Sequence, residues 1–208
     1  MIIQETADGS HTLYLPEMDE HYHSVNGAIN ESRHVYIEAG LNHCSKKEIR
    51  VLEMGFGTGL NALLTLEEAE KRNISVHYTS LEKFPLLPEI YTKLNYGERL
   101  LDLHQTSWEK FVEITPSFSL LKVETDFNSY SFPDNYDVVY YDAFAPDKQE
   151  EVWNQDLFNA IYSSMNPSGI LTTYCAKGSI RRMMQQAGFN VERLPGPKGK
   201  REMLRAIK

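Results

Sequence analysis

Apolar positions recur along this chain in two alternating rhythms, and the rhythm changes at glycine, proline or asparagine. Residues 75–81, 118–123, 136–141 and 170–174 are short runs rich in β-branched, aromatic and leucine side chains, as expected of strands in a covered sheet. Val51-Leu52-Glu53-Met54 is another such run and stops in a glycine-rich turn. Helical spacing follows it, with Leu60, Leu63, Leu64 and Leu66 leading to Ala69. Pro85 is placed to open a helix over 86–95, and further helices are expected over 152–165 and 179–187, the last stopped by Gly188. Asn166-Pro167-Ser168-Gly169 reads as a turn, and residues 189–194 and 202–207 as strands joined by the 195–199 turn. Ahead of all this, 9–24 suggests short strands around turns, with 11–15 alternating and 21–24 following a polar stretch. Residues 30–39 suit a helix with Ser32, Val35, Tyr36 and Ala39 on one side.

Strands alternating with helices predict a doubly wound, mostly parallel sheet, and the short final connection makes one strand antiparallel. The expected organisation is a Rossmann-like α/β domain over residues 51–208, with 1–50 as a small N-terminal elaboration. Ligands of such sheets bind beyond the C-terminal strand ends, near the switch in strand order. Glu53, Glu82, Asp126 and Asp142 all fall at or just past a predicted strand end.

Composition narrows the class. With 208 residues the chain can bury a sizeable core, and 41% hydrophobic with 24% charged residues is ordinary for a soluble globular protein. No apolar run approaches the ~20 residues of a membrane span, and the start lacks a basic region followed by an apolar stretch. A cytoplasmic location is expected, with Cys44 and Cys175 as reduced thiols. His11, His21, His23 and His34 match no standard zinc spacing, so no metal is expected. Trp108 and Trp153 are expected to pack against helices. Net charge is −8, yet from Lys177 onward nine basic residues face only Glu192 and Glu202. Such a segment can form a phosphate-binding face on an acidic protein.

The chemistry is carried by the strand ends. Glycines at 55, 57 and 59 leave no Cβ on the turn, so a ligand can lie against the backbone. A dinucleotide fingerprint would place its third glycine at 60, where this chain has Leu60. The turn with Glu53 before it instead resembles motif I of class I S-adenosylmethionine-dependent methyltransferases, whose cationic ligand suits a neighbouring acid. Glu82, after the next strand, can accept ribose hydroxyls, with Lys83 beside it, and Asp126 can receive an adenine amino group. In Tyr141-Asp142-Ala143-Phe144-Ala145-Pro146, the carboxylate and aromatic ring suit an amine, and the proline stiffens the loop.

Taken together, Tyr22-His23-Ser24 with Gly27-Ala28 and Glu31-Ser32, Glu53 to Asn61, Glu82-Lys83-Phe84-Pro85, Asp142 to Pro146, Gly178 with Arg181-Arg182, and Gly199-Lys200-Arg201-Glu202-Met203-Leu204 resemble the methyltransferase domain of the MnmC family. That family, also called DUF752, makes 5-methylaminomethyl-2-thiouridine in tRNA. The resemblance covers nearly the whole chain. It implies a class I fold with a seven-stranded sheet, S-adenosyl-L-methionine as cofactor, and N-methylation of 5-aminomethyl(-2-thio)uridine at the tRNA wobble position. It implies cofactor contacts from Glu53, Gly55, Gly57, Gly59, Glu82, Lys83 and Asp126, and an amine site at Asp142 and Phe144. Lys177, Arg181, Arg182, Lys198, Lys200 and Arg201 are the expected tRNA contacts. Many members continue into a flavin-dependent oxidase domain. With no second glycine fingerprint before Lys208, no FAD is expected on this chain, and a separate enzyme would supply the bare 5-aminomethyl group.

Two other readings use the same residues. One is transfer to a small-molecule or protein amine, including aminopropyl transfer on a similar fold; the basic C-terminal segment favours tRNA over a polyamine, which would want acids. The other is a non-catalytic tRNA- or cofactor-binding module, which would be expected to have lost the strand-end acids that this chain keeps.

Overall fold

The structure, a computed structural model, describes residues 1–133 and 135–208. At the N-terminus, β1 (Ile2–Glu5), β2 (His11–Leu15) and β3 (Glu20–His21) form a small antiparallel sheet. The strand expected over 21–24 ends at His21, and beyond it Thr12 holds the backbone of His23 through its side-chain hydroxyl. The expected 30–39 helix begins earlier, as α1 (Ala28–Ser32), and widens into a π-helical segment, Arg33–Glu38.

The main sheet starts with β4 (Glu48–Met54), followed by α2 (Leu60–Arg72) and β5 (Ser75–Glu82). Next come the short helices α3 (Pro88–Tyr91) and α4 (Arg99–Gln105), then β6 (Val112–Thr115), β7 (Phe118–Glu124) and β8 (Tyr136–Tyr141). After these, α5 (Gln155–Ser164), β9 (Met165–Thr173), α6 (Gly178–Ala187), β10 (Asn190–Pro195) and β11 (Glu202–Ile207) complete the chain. Strand order is β10-β11-β9-β8-β4-β5-β7-β6. The expected seven-stranded sheet is present with β11 reversed, and β6 adds an eighth strand, antiparallel to β7, at the far edge.

Side-chain alternation along the strands feeds two separate cores, one on each face of the sheet. Val51, Val76, Tyr78, Val138 and Tyr140 pack with α2, the π-helical segment and Leu13 of the N-terminal sheet. Leu52, Met54, Val139 and Tyr141 pack with Trp153, Phe158 and the apolar sides of α5 and α6. Residues of the N-terminal region therefore share a core with the main sheet.

Three local expectations differ. The helix expected over 86–95 is one turn at Pro88–Tyr91, because the chain turns again at Gly97 (φ +100°) before α4. There Asn95 is drawn away to bridge the N-terminal hairpin, accepting from the His11 N–H and donating to Gly9 O. The helix expected from 152 begins at Gln155, after a 3-10 turn, because the Asn154 side chain caps the Leu157 N–H at 2.8 Å. Residues 166–169 do turn locally, with Ser168 at φ +64°, but lie inside β9 as an irregularity, where Asn166 donates to Asp137 at 2.7 Å. Replacing Asn154 by Ala is expected to lower stability by about 1 kcal/mol, as for other side-chain caps, and chemical denaturation would measure it. Among the described residues, no helix is long and apolar enough to cross a membrane.

Candidate active site

The parallel pairing of β4 with β8 sets Met54 opposite Tyr141, so the next residues, Gly55 and Asp142, emerge side by side at the switch in strand order. They are close: a Cβ on Gly55 would stand 2.9 Å from the Asp142 carbonyl oxygen. A cavity of about 660 Å³ opens over them. Gly55, Gly57, Asn61, Glu82 and Phe84 form one part of its wall, and Tyr22, Glu31, Asp142, Phe144, Tyr174 and Lys200 form another.

Glu82 ties the cofactor-side loops together. Its Oε2 accepts the Gly57 N–H at 2.9 Å and its Oε1 the Phe84 N–H at 2.8 Å. A carboxylate has about four acceptor sites, so these two bonds leave room for a pair of hydroxyls. Thr58 is held between two imidazoles: His23 Nε2 lies 2.6 Å from its hydroxyl, and His104 Nε2 donates to its carbonyl at 3.0 Å. Burial pushes both histidines down to about 4, so they are neutral at physiological pH. Lys122 stabilises the same turn from beneath, its ammonium donating to His104 O at 2.6 Å and lying over the Phe56 and Trp108 rings. Trp108 therefore covers a buried lysine instead of packing on a helix.

Asp142 has a partner on each oxygen: the Tyr36 hydroxyl donates to Oδ1 at 2.5 Å and Asn61 Nδ2 to Oδ2 at 2.8 Å. Burial raises its carboxyl to about 6, opposed by the Tyr36 and Asn61 hydrogen bonds. Burial, with the Asp142 charge second, drives the Tyr36 phenol well above its ordinary range, which keeps it a donor. Phe144 meets the Tyr22 ring edge-on at 5.1 Å, and its carbonyl accepts from the indole of Trp153 at 2.8 Å. Lys200 is turned inward. Its ammonium donates to the buried Glu31 at 2.7 Å and lies 3.8 Å from the centre of the Tyr174 ring.

Not every residue expected at the site reaches the cavity wall. Glu53 is fully buried behind it, and Gly59 is closed in by His104, Leu100 and Phe56. Asp126 lies beyond the wall, capping the Phe127–Ser129 turn and paired with Lys83 at 2.7 Å, which holds its carboxyl below the usual range. Among the basic residues, Lys177 pairs with Asp147, Arg181 is half-buried, and Arg182, Lys198 and Arg201 are exposed. Tyr36, Asn61, Glu31, Tyr174 and Tyr22 were not singled out by sequence as site residues. Asn61 stood inside the glycine motif, and Tyr22 and Glu31 inside the N-terminal segments of the resemblance, but without a role; Tyr36 and Tyr174 arrive through packing of the π-helical segment and the end of β9.

Comparison with known proteins gives the same assignment. Residues 100–208 match the family model for S-adenosyl-L-methionine-dependent methyltransferases. The tRNA 5-methylaminomethyl-2-thiouridine biosynthesis bifunctional protein MnmC of Cupriavidus metallidurans is 29% identical over 92% of this chain, and that of Idiomarina loihiensis 30% over 89%. The chain spans about a third of these relatives' length, 32% and 35%. The crystal structure of MnmC2 from Aquifex aeolicus superposes with a TM-score of 0.80 at 28% identity, covering 98% of this chain and 69% of the other. Spermidine synthase from Thermotoga maritima shares the fold at 13% identity, with a TM-score of 0.62 over 100% of this chain and 72% of its own. A class I sheet, a glycine turn open to the cavity and these matches agree: the chain belongs to the S-adenosyl-L-methionine-dependent methyltransferase family, with that compound as its methyl donor.

Proposed function

We propose that this chain methylates the primary amine of 5-aminomethyl(-2-thio)uridine at the tRNA wobble position, giving the 5-methylaminomethyl product. The observation that carries this reading is Asp142, a half-buried carboxylate oriented from both sides and opening onto the same cavity as the glycine turn. The methyl donor fits the other half of the cavity: Gly55 and Gly57 expose bare backbone, Glu82 keeps free acceptor sites for hydroxyls, and Phe84 offers an apolar face. When bound there it supplies an electrophilic methyl group. The protein's residues prepare the nucleophile. A primary alkylamine has a lysine-like pKa of about 10, and only its neutral form attacks. Asp142 accepts an amine N–H and aims the lone pair, while Phe144 and Tyr22 wall the approach. Asp142 favours the ammonium form, against the positive charge of the methyl donor, and Lys200 on the same wall is already paired with Glu31.

This substrate must arrive with a bare amine, so a preceding reaction removes any group carried on that nitrogen; a tRNA substrate is met in the cytoplasm. Incubation with tRNA bearing the 5-aminomethyl nucleoside, followed by nucleoside mass spectrometry, should show the gain of one methyl group. Methylation of free amines with none on tRNA would reject the assignment.

The basic residues divide the work of holding tRNA. Lys200 faces the amine site, which leaves Arg182, Lys198 and Arg201 as exposed candidates for phosphate contacts. Changing those three to Ala should weaken tRNA binding and flatten the log–log salt dependence by about 2–3 units, at roughly 0.7–0.9 per phosphate contact, with methyl-donor affinity unchanged. Wild-type tRNA affinity at every salt concentration would make this a solvated face.

A further inference from the structure

Glu53, expected from sequence to meet the methyl donor, is 0% exposed and lies behind the cavity wall. Its Oε2 accepts the Ser80 hydroxyl at 2.5 Å. Burial acts most strongly on the carboxyl and disfavours its charge, as does Asp142, while Ser80, Asn61 and Tyr78 act in the opposite sense; no cation is among these groups. Three oxygens of this cluster, Glu53 Oε1, Asn61 Oδ1 and the Tyr78 hydroxyl, are buried without a hydrogen-bond partner of normal geometry. Only the Tyr78 hydroxyl brings a proton of its own, and Asn61 Nδ2 is already directed to Asp142 at 2.8 Å. The cluster is therefore one donor short. A proton on Glu53 supplies that donor and removes a second negative charge from beside Asp142 in a dry interior.

We propose that Glu53 is held as a neutral carboxylic acid and acts as a positioning residue, its O–H directed into the Asn61 amide oxygen so that Asn61 keeps its N–H on Asp142. Burial outweighs the opposing Ser80 hydrogen bond and, with the Asp142 charge adding to it, places the Glu53 carboxyl well above the ordinary carboxylate range, which agrees with this arrangement. The motif acid then serves the amine site from behind and leaves the ammonium of the methyl donor to other groups. This rests on the reading of Asp142 as the amine acceptor.

Infrared difference spectroscopy between the wild type and Glu53→Gln at neutral pH tests the protonation directly. The carbonyl stretch of a protonated carboxyl should be present in the wild type and missing in the variant; its absence from the wild type overturns the proposal. Glu53→Leu removes the donor and should lower turnover about 10- to 100-fold with methyl-donor affinity unchanged, since misplacing an orienting group has losses of that order. Glu53→Gln, whose amide N–H2 can donate to Asn61, should restore turnover to within about threefold of wild type. If the Gln variant folds but loses methyl-donor affinity tenfold or more, Glu53 is an ionised ligand and the proposal fails. The infrared band and donor affinity are measured without tRNA, so this test and that of the proposed substrate can fail separately.

Discussion

Asp142→Asn is expected to lower turnover by about 10²-fold or more under saturating substrates, the usual scale for losing a positioned proton acceptor. The substitution keeps the size of the side chain and one of its partners, because an amide oxygen still accepts the Tyr36 hydroxyl. Its amide N–H2, however, would face Asn61 Nδ2, which now donates to Oδ2 at 2.8 Å, so two donors would confront each other. The fold should survive, since burial disfavours the removed charge, holding the carboxyl at about 6, and losing that charge offsets the broken contact. The pH dependence provides a second check with a defined sign. A carboxyl raised to about 6 is ionised at neutral pH and takes up a proton as pH falls through about 6, so the wild-type rate should lose its acceptor over that interval. Single-turnover rates on aminomethyl-uridine tRNA between pH 5 and pH 8 should show this limb in the wild type and lack it in the variant. Near-normal turnover of Asp142→Asn, with the limb intact, would remove Asp142 from the chemistry.

Sequence revealed the parts of this protein that depend on local pattern. Strand-helix alternation gave the doubly wound sheet, and the glycine turn and the acids after each strand pointed to the C-terminal strand ends, where the cavity lies. What stayed hidden depends on distant packing. Nothing in the apolar period of residues 30–39 marks Tyr36 as a donor to Asp142, 106 positions away. The π-helical segment that carries it aligns the hydroxyl with the end of β8 only once the N-terminal region has packed into the core of the sheet. Lys200 shows the converse. In sequence it belongs to a basic run of solvent-seeking character, while in the structure the buried Glu31 and the Tyr174 ring draw it into the cavity. Glu53 and Glu82 both lie near the ends of neighbouring strands, but Glu53 pairs with Ser80, two residues short of Glu82, so one ends inside the core and the other on the wall. Strand-end acids could be counted from sequence, but which of them reaches the cavity is decided by the register between the strands.

Gly57→Val should abolish measurable binding of the methyl donor, a loss of at least about 100-fold, or about 2.8 kcal/mol. Gly57 lines the cavity at φ +49°, a left-handed conformation, and its N–H donates to Glu82 at 2.9 Å. A Cβ there would stand 3.0 and 3.2 Å from two carbons of the Tyr22 ring. Two penalties must be separated. Forcing a β-branched residue into left-handed backbone costs about 1–2 kcal/mol, but this strain is present in the free and the bound protein alike and lowers stability, not affinity. Affinity falls because the side chain takes up volume between the turn and Tyr22, and because any relaxation of the backbone pulls the N–H away from Glu82. Gly9 isolates the first penalty: it has φ +82°, a Cβ there would meet nothing within 4 Å, and it has no place on the cavity wall. In thermal melts Gly9→Ala should therefore lose the backbone term alone and Gly57→Ala somewhat more, its Cβ pressing on Tyr22, while titration calorimetry finds donor affinity unchanged in the first and reduced in the second. Gly57→Val extends that series to complete loss. Unchanged donor affinity in a folded Gly57→Val protein would place the methyl donor away from the glycine turn.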